Sequence, residues 1–382
     1  MAAHGRSKTG WHARKSRTPQ RHPALARFHS DLQPKRTFIM KRIILTSILL
    51  LCAVAPTLAQ RMGVWGVAFY NLENLFDYED DPNNKGDDEY LPTGPYKWTQ
   101  EKYQQKLNNM ARVIGDLARP TCPGGPAVIG ISEVENERVV RDLVNTSPAK
   151  EMNLKYVHYD SPDRRGIDVA LIYNPRLFRY TKSSTHPLII PDNPNFKTRD
   201  QLLVEGTMAG EHVCILVNHW PSRYGGAKSA PLREAAAALS KHIADSVRTA
   251  NPSAKVIIMG DLNDDPKDAS VAKVLGATRH KKDTPADGYF NATWGLYDKG
   301  IGTLCYQDSW CLYDQQILSA NLLGKPANGL SYWKTEVFNR DYLVTPDGKK
   351  KGYPFRAFNG NIWQNGYSDH FPTITYYVKQ LK

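Results

Sequence analysis

Four apolar runs in this chain lead straight into side chains that could do chemistry. "KVIIM" passes directly into "GDLND", which carries Asp261 and Asn263. "CILVNHW" brings Asn218 and His219, "AVIGISEVEN" brings Glu133 and Glu135, and "VWGVAFYNLEN" brings Asn71 and Glu73. A further pair, Asp369 and His370 in "GYSDHFP", stands just before the apolar run "TITYYV". Carboxylates, amides and imidazoles gathered in one place suit hydrolysis of a phosphoester. That reaction needs an oriented, deprotonated water and neutralisation of the charge on the phosphoryl oxygens. Taken singly, an Asp or Asn after a strand makes a turn or caps a helix. The inference therefore rests on the coincidence of all these strand ends.

Each residue type has work to do in such a site. A magnesium ion takes one or two carboxylates plus waters rather than a closed protein cage. Asp261 can orient or deprotonate the attacking water, and the Asn263 amide can donate to a phosphoryl oxygen. Their spacing of two lets both project on one side of the emerging strand.

The elements that must position these groups are legible as periodic patterns. Strands are expected over 64–70, 127–132, 155–159, 167–173, 201–207, 212–218, 255–260, 315–319 and 371–378. In "WTQEKYQQKLNNMARVIGDLA", Tyr103, Leu107, Met110, Ile114 and Leu117 form one helical face, and "APLREAAAALSKHIADSV" repeats the pattern behind Pro231. Helices follow only some strands, while "DVALIY", "QLLVEG" and "HVCILV" succeed one another directly. Two mixed sheets packed face to face, with helices outside, account for this order better than one parallel sheet. The acidic loop "DYEDDPNNKGDDEY" fails as an EF-hand, because Lys85 and Pro92 fall on ligand positions, and reads as a solvated loop.

The motifs "FYNLEN", "ISEVEN", "GIDVALIY", "NHWPS", "GDLND", "YDQQIL" and "SDHFP" occur in the order seen in the endonuclease/exonuclease/phosphatase superfamily. The chain resembles that superfamily of pancreatic-deoxyribonuclease-like, metal-dependent phosphoesterases over nearly all of the segment after residue 59. The resemblance implies a four-layer α/β sandwich. It also implies a divalent metal, Mg2+ with Mn2+ or Ca2+ as alternatives, at Glu133 with Asn71 and Asp369 beside it. Glu135 is then a supporting contact. Catalysis would fall to His219, Asp261, Asn263 and His370, with the histidines kept protonated by carboxylates. By motif position Asp168 would pair with His219, and Asp314 with His370. Arg165 and Arg223, and less specifically Arg233, could hold a substrate phosphate. His158, His186, His212, His242 and His280 lack motif context and read as structural.

Composition bounds the partners. Residues 1–59 hold 11 Lys or Arg and one Asp, which leaves 39 basic and 37 acidic residues in the remainder, so the net charge of +12 falls to +2. No global basic field argues for tight nucleic-acid binding. From Met40, "MKRIILTSILLLCAVAPTLAQ" has the plan of a secretory signal peptide ending at Ala59, with an apolar run too short to span a membrane. Residues 1–39 form a basic prefix, read as a start-site overrun rather than a nucleic-acid tail or transit peptide. Residues 60–382 are expected to form one domain, monomeric, secreted or periplasmic, with no stable protein partner and no anchor. Export favours a disulfide closing the short loop between Cys305 and Cys311, while Cys214 reads as a buried thiol.

Two substrates compete. Nucleic acid is favoured, because "SYWKTEVF" and "YPFRAFNGNIWQNGY" offer aromatic surfaces for stacking bases. A phospholipid head group or a phosphorylated polyol is the alternative, since the same machinery serves both.

Overall fold

Alternation along the strands decides the architecture. In β1 (Met62–Leu75), Val67 and Phe69 enter one apolar cluster while Ala68 and Tyr70 enter another. A strand buried on both faces must be covered on both. The computed structural model describes residues 61–381, and the leader and prefix expectations lie outside the described residues. The remaining strands of the two large sheets are β2 (Val128–Val134), β3 (Lys155–His158), β4 (Asp168–Tyr173), β5 (Phe178–His186) and β6 (Gln201–Met208). They continue with β7 (Glu211–His219), β8 (Lys255–Asp261), β9 (Ala277–Thr278) and β10 (Tyr289–Asn291). The last three are β11 (Asp314–Ser319), β12 (Ser331–Val337) and β13 (Thr373–Gln380).

One sheet has the order β12-β13-β1-β2-β4-β3 and the other β5-β6-β7-β8-β11-β10-β9, each mixing parallel and antiparallel pairs. Between them lies a core of Val67, Phe69, Val169, Leu171, Ile215, Val217, Ile257, Met259 and Leu318. Helices α1 (Gln100–Asp116) and α2 (Glu137–Val144) cover the outer face of the first sheet, and α3 (Ala230–Ala250) covers that of the second. This is the four-layer α/β sandwich expected from the strand pattern. Four strands escaped the sequence reading: β5 is largely exposed and polar, β9 and β10 are two and three residues long, and β12 reads as a stacking surface. No helix among the described residues is long and apolar enough to cross a membrane.

Two expectations need correction. Cys305 and Cys311 are free thiols. They sit on a small hairpin in which Leu304 faces Cys311 and Cys305 faces Trp310. Side chains alternate along a strand, so the two sulfurs leave opposite faces of the hairpin and cannot meet. The acidic loop after β1 is not simply solvated either. Asp77 and Asp87 are buried, and the Tyr90 ring stacks on Phe76 at 4.3 Å.

Candidate active site

The same alternation that builds the core aims the site. Asn71 continues the inward series of Val67 and Phe69, and His219 that of Val213, Ile215 and Val217. Asp261 follows Ile257 and Met259, and Asp314 shares the parity of Leu318. All four therefore point between the sheets at one end of the sandwich. Pairing sets them side by side, because His219 is in register with Asp261 and Asp261 with Asp314. Gly260 permits this: it lies at φ 157°, and a Cβ there would fall 2.2 Å from the Asn218 carbonyl oxygen.

Glu133 has the wrong parity for the inner face, since Ile129 and Ile131 point outward. Here β2 breaks register between Ser132 and Val134, and Glu133 takes φ 61°. This bulge turns the carboxylate inward. β1 does the same between Asn71 and Leu75, with Glu73 at φ 51° and Asn74 at φ 54°. Irregular backbone at both strand ends thus serves the site.

The centre is Asp261. Its Oδ2 accepts from the Asn71 amide at 3.0 Å, and its Oδ1 accepts from the Asn263 backbone N–H at 3.0 Å. His219 Nε2 lies 3.6 Å from Oδ2 and His370 Nε2 3.9 Å from it. Burial raises Asp261 to about 6, helped by Asp314 and Glu133 and opposed by His370. His370 is held by Asp314, whose Oδ2 is 2.6 Å from Nδ1. Burial works against the charged ring, but Asp314 and then Asp261 and Asp369 raise it well above its ordinary value. The "SDH" turn is tied to β1 by Ser368, which donates to the Asn71 carbonyl at 2.7 Å and accepts from the His370 N–H.

The pairing assigned to His219 is not formed. Asp168 accepts from Ser161 and lies 3.0 Å from His158 Nε2, while His219 Nδ1 has no hydrogen-bond partner among the described residues. The reason is parity: Asp168 shares the outer face of β4 with Ala170 and Ile172, and His219 faces inward. His158, read as structural, is the residue that meets Asp168. Burial, Arg199 and Arg165 push His219 well below its usual value, so this imidazole is neutral. Asp314 thus raises His370, while no carboxylate hydrogen-bonds His219 among the described residues.

Glu133 Oε2 accepts from the Asn74 N–H at 3.0 Å, and Oε1 lies 3.3 Å from Arg165 Nη1 and 3.8 Å from His219 Nε2. Burial would raise it, yet the Arg165 guanidinium and then the His370 imidazolium hold it far below the usual carboxylate range. Glu135 points elsewhere, accepting from the Asp77 N–H at 2.7 Å. Asp369 is bonded to Arg356 at 3.2 Å rather than to Glu133. Asn263 spends one amide N–H on the Trp220 carbonyl.

Arg165 is at the site, but the other two arginines are not free for phosphate. Arg223 is paired with Asp264 and Asp268, and Arg233 is buried against Asp264 at 2.8 Å. Sequence reasoning missed Arg356, which pairs with buried Glu73 at 2.6 Å, and Lys106, buried on α1. Glu73 in "NLEN" was the only local signal for either. "SYWKTEVF" forms β12 on the sheet edge, whereas Arg356 and Ala357 of "YPFRAF" bond to Glu73.

The donor chemistry fits a hard divalent cation: an ionised Glu133, the Asn71 amide oxygen and the partly exposed Asp369 are all oxygen ligands. Ligand atoms of Asp261, Asp314 and His370 also lie within 4.8 Å of one another. Asp314 is already bonded to His370, and Asp261 to Asn71 and Asn263, so these groups are committed to positioning one another rather than to forming a cage.

Two facing mixed sheets with buried acid, amide and imidazole groups at one strand-end mouth define a phosphoesterase sandwich. Residues 66–379 match the Endonuclease/Exonuclease/phosphatase family, and the chain belongs to it. Enzymes of this family are typically divalent-metal dependent. Among solved structures, the chain is similar to ANGEL2, described as a 2′,3′-cyclic phosphatase, at 13% identity and TM-score 0.54, covering 84% of this chain and 96% of that one. It is also similar to D. rerio TDP2 complexed with single-strand DNA product, at 15% identity and TM-score 0.51, covering 82% and 99%. No curated protein sequence matches the chain.

Proposed function

We propose that the chain is an exported, divalent-metal-dependent phosphodiesterase that hydrolyses nucleic acid, DNA or RNA, by in-line attack of water. The observation that carries the chemistry is the Asp261 carboxylate, oriented by Asn71 and Asn263 and flanked by two imidazoles, one pushed toward its charged form and one toward its neutral form. Asp261 is placed to take the proton of the attacking water, and burial brings its basicity toward neutral pH. The His370 imidazolium, fixed through Nδ1 by Asp314, presents Nε2 to a phosphoryl or leaving oxygen. Neutral His219 offers a hydrogen bond from the opposite side without adding charge. Arg165 supplies a guanidinium beside Glu133 for a phosphate oxygen. Glu133, with Asn71 and Asp369, would hold Mg2+, Mn2+ or Ca2+, which would neutralise phosphoryl charge and acidify bound water.

Nucleic acid is favoured over lipid by Arg165 near the acidic centre and by the aromatic residues gathered beside it. The same fold carries a DNA product in TDP2. The export reading rests on the signal-peptide plan from Met40, with residues 1–39 outside the working enzyme and Gln60 onward acting as one monomeric domain.

The test is the specificity constant on DNA and RNA against sphingomyelin and phosphorylated inositols, with N-terminal sequencing of the exported protein alongside. DNA or RNA should lead, and the mature chain should begin at Gln60. A wide margin for the lipid or polyol defeats the substrate assignment.

A further inference from the structure

Beside Glu133, a cavity of about 240 Å3 opens whose walls the mechanism above does not use. Its link to the chemistry is Asn74, which lines it. The Asn74 N–H donates to Glu133, and its side-chain oxygen accepts from Arg165 at 2.5 Å. A group seated in the cavity is therefore next to a phosphate held at Arg165. The volume holds about eight waters at roughly 30 Å3 each, room enough for one nucleobase.

The walls are aromatic and rigid. Tyr90 stacks on Tyr96 at 5.0 Å, Tyr96 packs on Phe358 at 4.7 Å, and Phe358 packs on Trp98 at 5.8 Å. The Trp98 indole N–H is anchored on the Phe76 carbonyl. Such a wall loses little freedom when a planar ring docks on it.

The floor is cationic. Lys106 lines the cavity and is 1% exposed, and among the described residues its ammonium makes a single hydrogen bond, to the Tyr367 carbonyl. Two of its three N–H donors are left for a ligand. A buried donor with spare capacity favours a partner that accepts. Burial lowers Lys106 to about 8, against the pull of Glu73, Asp369 and Glu133, so it remains largely charged at neutral pH. Arg356 beside it is committed to Glu73 and Asp369. With Arg356 neutralised by its two carboxylates, the Lys106 ammonium on the floor disfavours a quaternary-ammonium head group, which aromatic walls alone would welcome.

We propose that this cavity is a nucleobase subsite: Tyr90, Tyr96, Trp98 and Phe358 enclose a single unpaired base, and Lys106 donates to one of its ring or carbonyl acceptors. The inference rests on the phosphodiesterase reading and sharpens its substrate to unpaired nucleic acid, because a paired base cannot enter.

The test uses the full chain with Mg2+ and two esters that release the same nitrophenolate, thymidine 5′-(4-nitrophenyl) phosphate and methyl 4-nitrophenyl phosphate. Tyr96→Ala should lower kcat/KM on the thymidine ester about tenfold, the scale of one lost base stack, and leave the methyl ester unchanged. Calorimetric titration should show thymidine monophosphate binding more tightly than ribose 5-phosphate, with Tyr96→Ala or Lys106→Met erasing the difference. Equal affinity for the two phosphates, equal losses on both esters, or tighter binding of phosphocholine overturns the subsite. If neither ester is cleaved but thymidine monophosphate still binds selectively, the hydrolytic reading fails and the subsite stands. Cleavage of both esters, indifferent to Tyr96→Ala, has the reverse meaning.

Discussion

His370 Nδ1 lies 2.6 Å from Asp314 Oδ2 while its Nε2 reaches toward Asp261, so one carboxylate fixes the charge of the ring and another marks where it acts. His219, across the same Asp261, has no such partner and is neutral.

The first consequence concerns Asp314. Asp314→Asn removes the charge that keeps His370 protonated while preserving shape. Turnover should fall about 100-fold, the usual scale for a general acid. Steady-state kinetics with a circular-dichroism melt separates this from unfolding; full turnover in a folded variant rejects the role.

Asp168 and His219 should behave differently from each other, because they do not touch. His219→Ala and Asp261→Asn should each cost at least ~100-fold in turnover. Asp168→Asn should cost a small fraction of that and act mainly on stability, through His158 and Ser161. Equal kinetic losses in Asp168→Asn and His219→Ala would restore the pairing that the structure denies.

Chelation provides a separate check. Excess EDTA should abolish hydrolysis, and added Mg2+, Mn2+ or Ca2+ should restore it, whereas Glu133→Gln should blunt the restoration. Undiminished activity in chelator removes the metal from the mechanism.

Arg233 belongs to the frame and not to the substrate. Its partner Asp264 is also buried and keeps only the half-exposed Arg223 and the Ser270 hydroxyl, so Arg233→Ala should destabilise by about 3 kcal/mol, the low end for a broken buried pair. Denaturant titration measures the loss, and KM at permissive temperature should be unchanged. A raised KM without lost stability contradicts this.

The hairpin thiols offer a chemical test. Because Cys305 and Cys311 leave opposite faces, both should alkylate in the native, non-reduced protein. A peptide joining the two by a disulfide in mass spectra shows the opposite.

What the amino-acid order determined by itself was local and periodic. Alternation in "VCILVNH" and "KVIIMGD" already implies strands whose inward faces end in His219 and Asp261, because side-chain period is a property of the backbone. The helical faces of α1 and α3 are legible for the same reason. Only the tertiary structure decided where parity breaks. The bulge that turns Glu133 inward depends on a left-handed backbone angle imposed by neighbouring strands, and no residue type near it announces that. Asp168 kept regular parity and so met His158, since nothing bends β4 as β2 is bent. Arg356 reaches Glu73 across 283 positions of chain, and Lys106 reaches Tyr367 across 261. Contacts at that separation follow from how the layers close on each other, which no local pattern encodes.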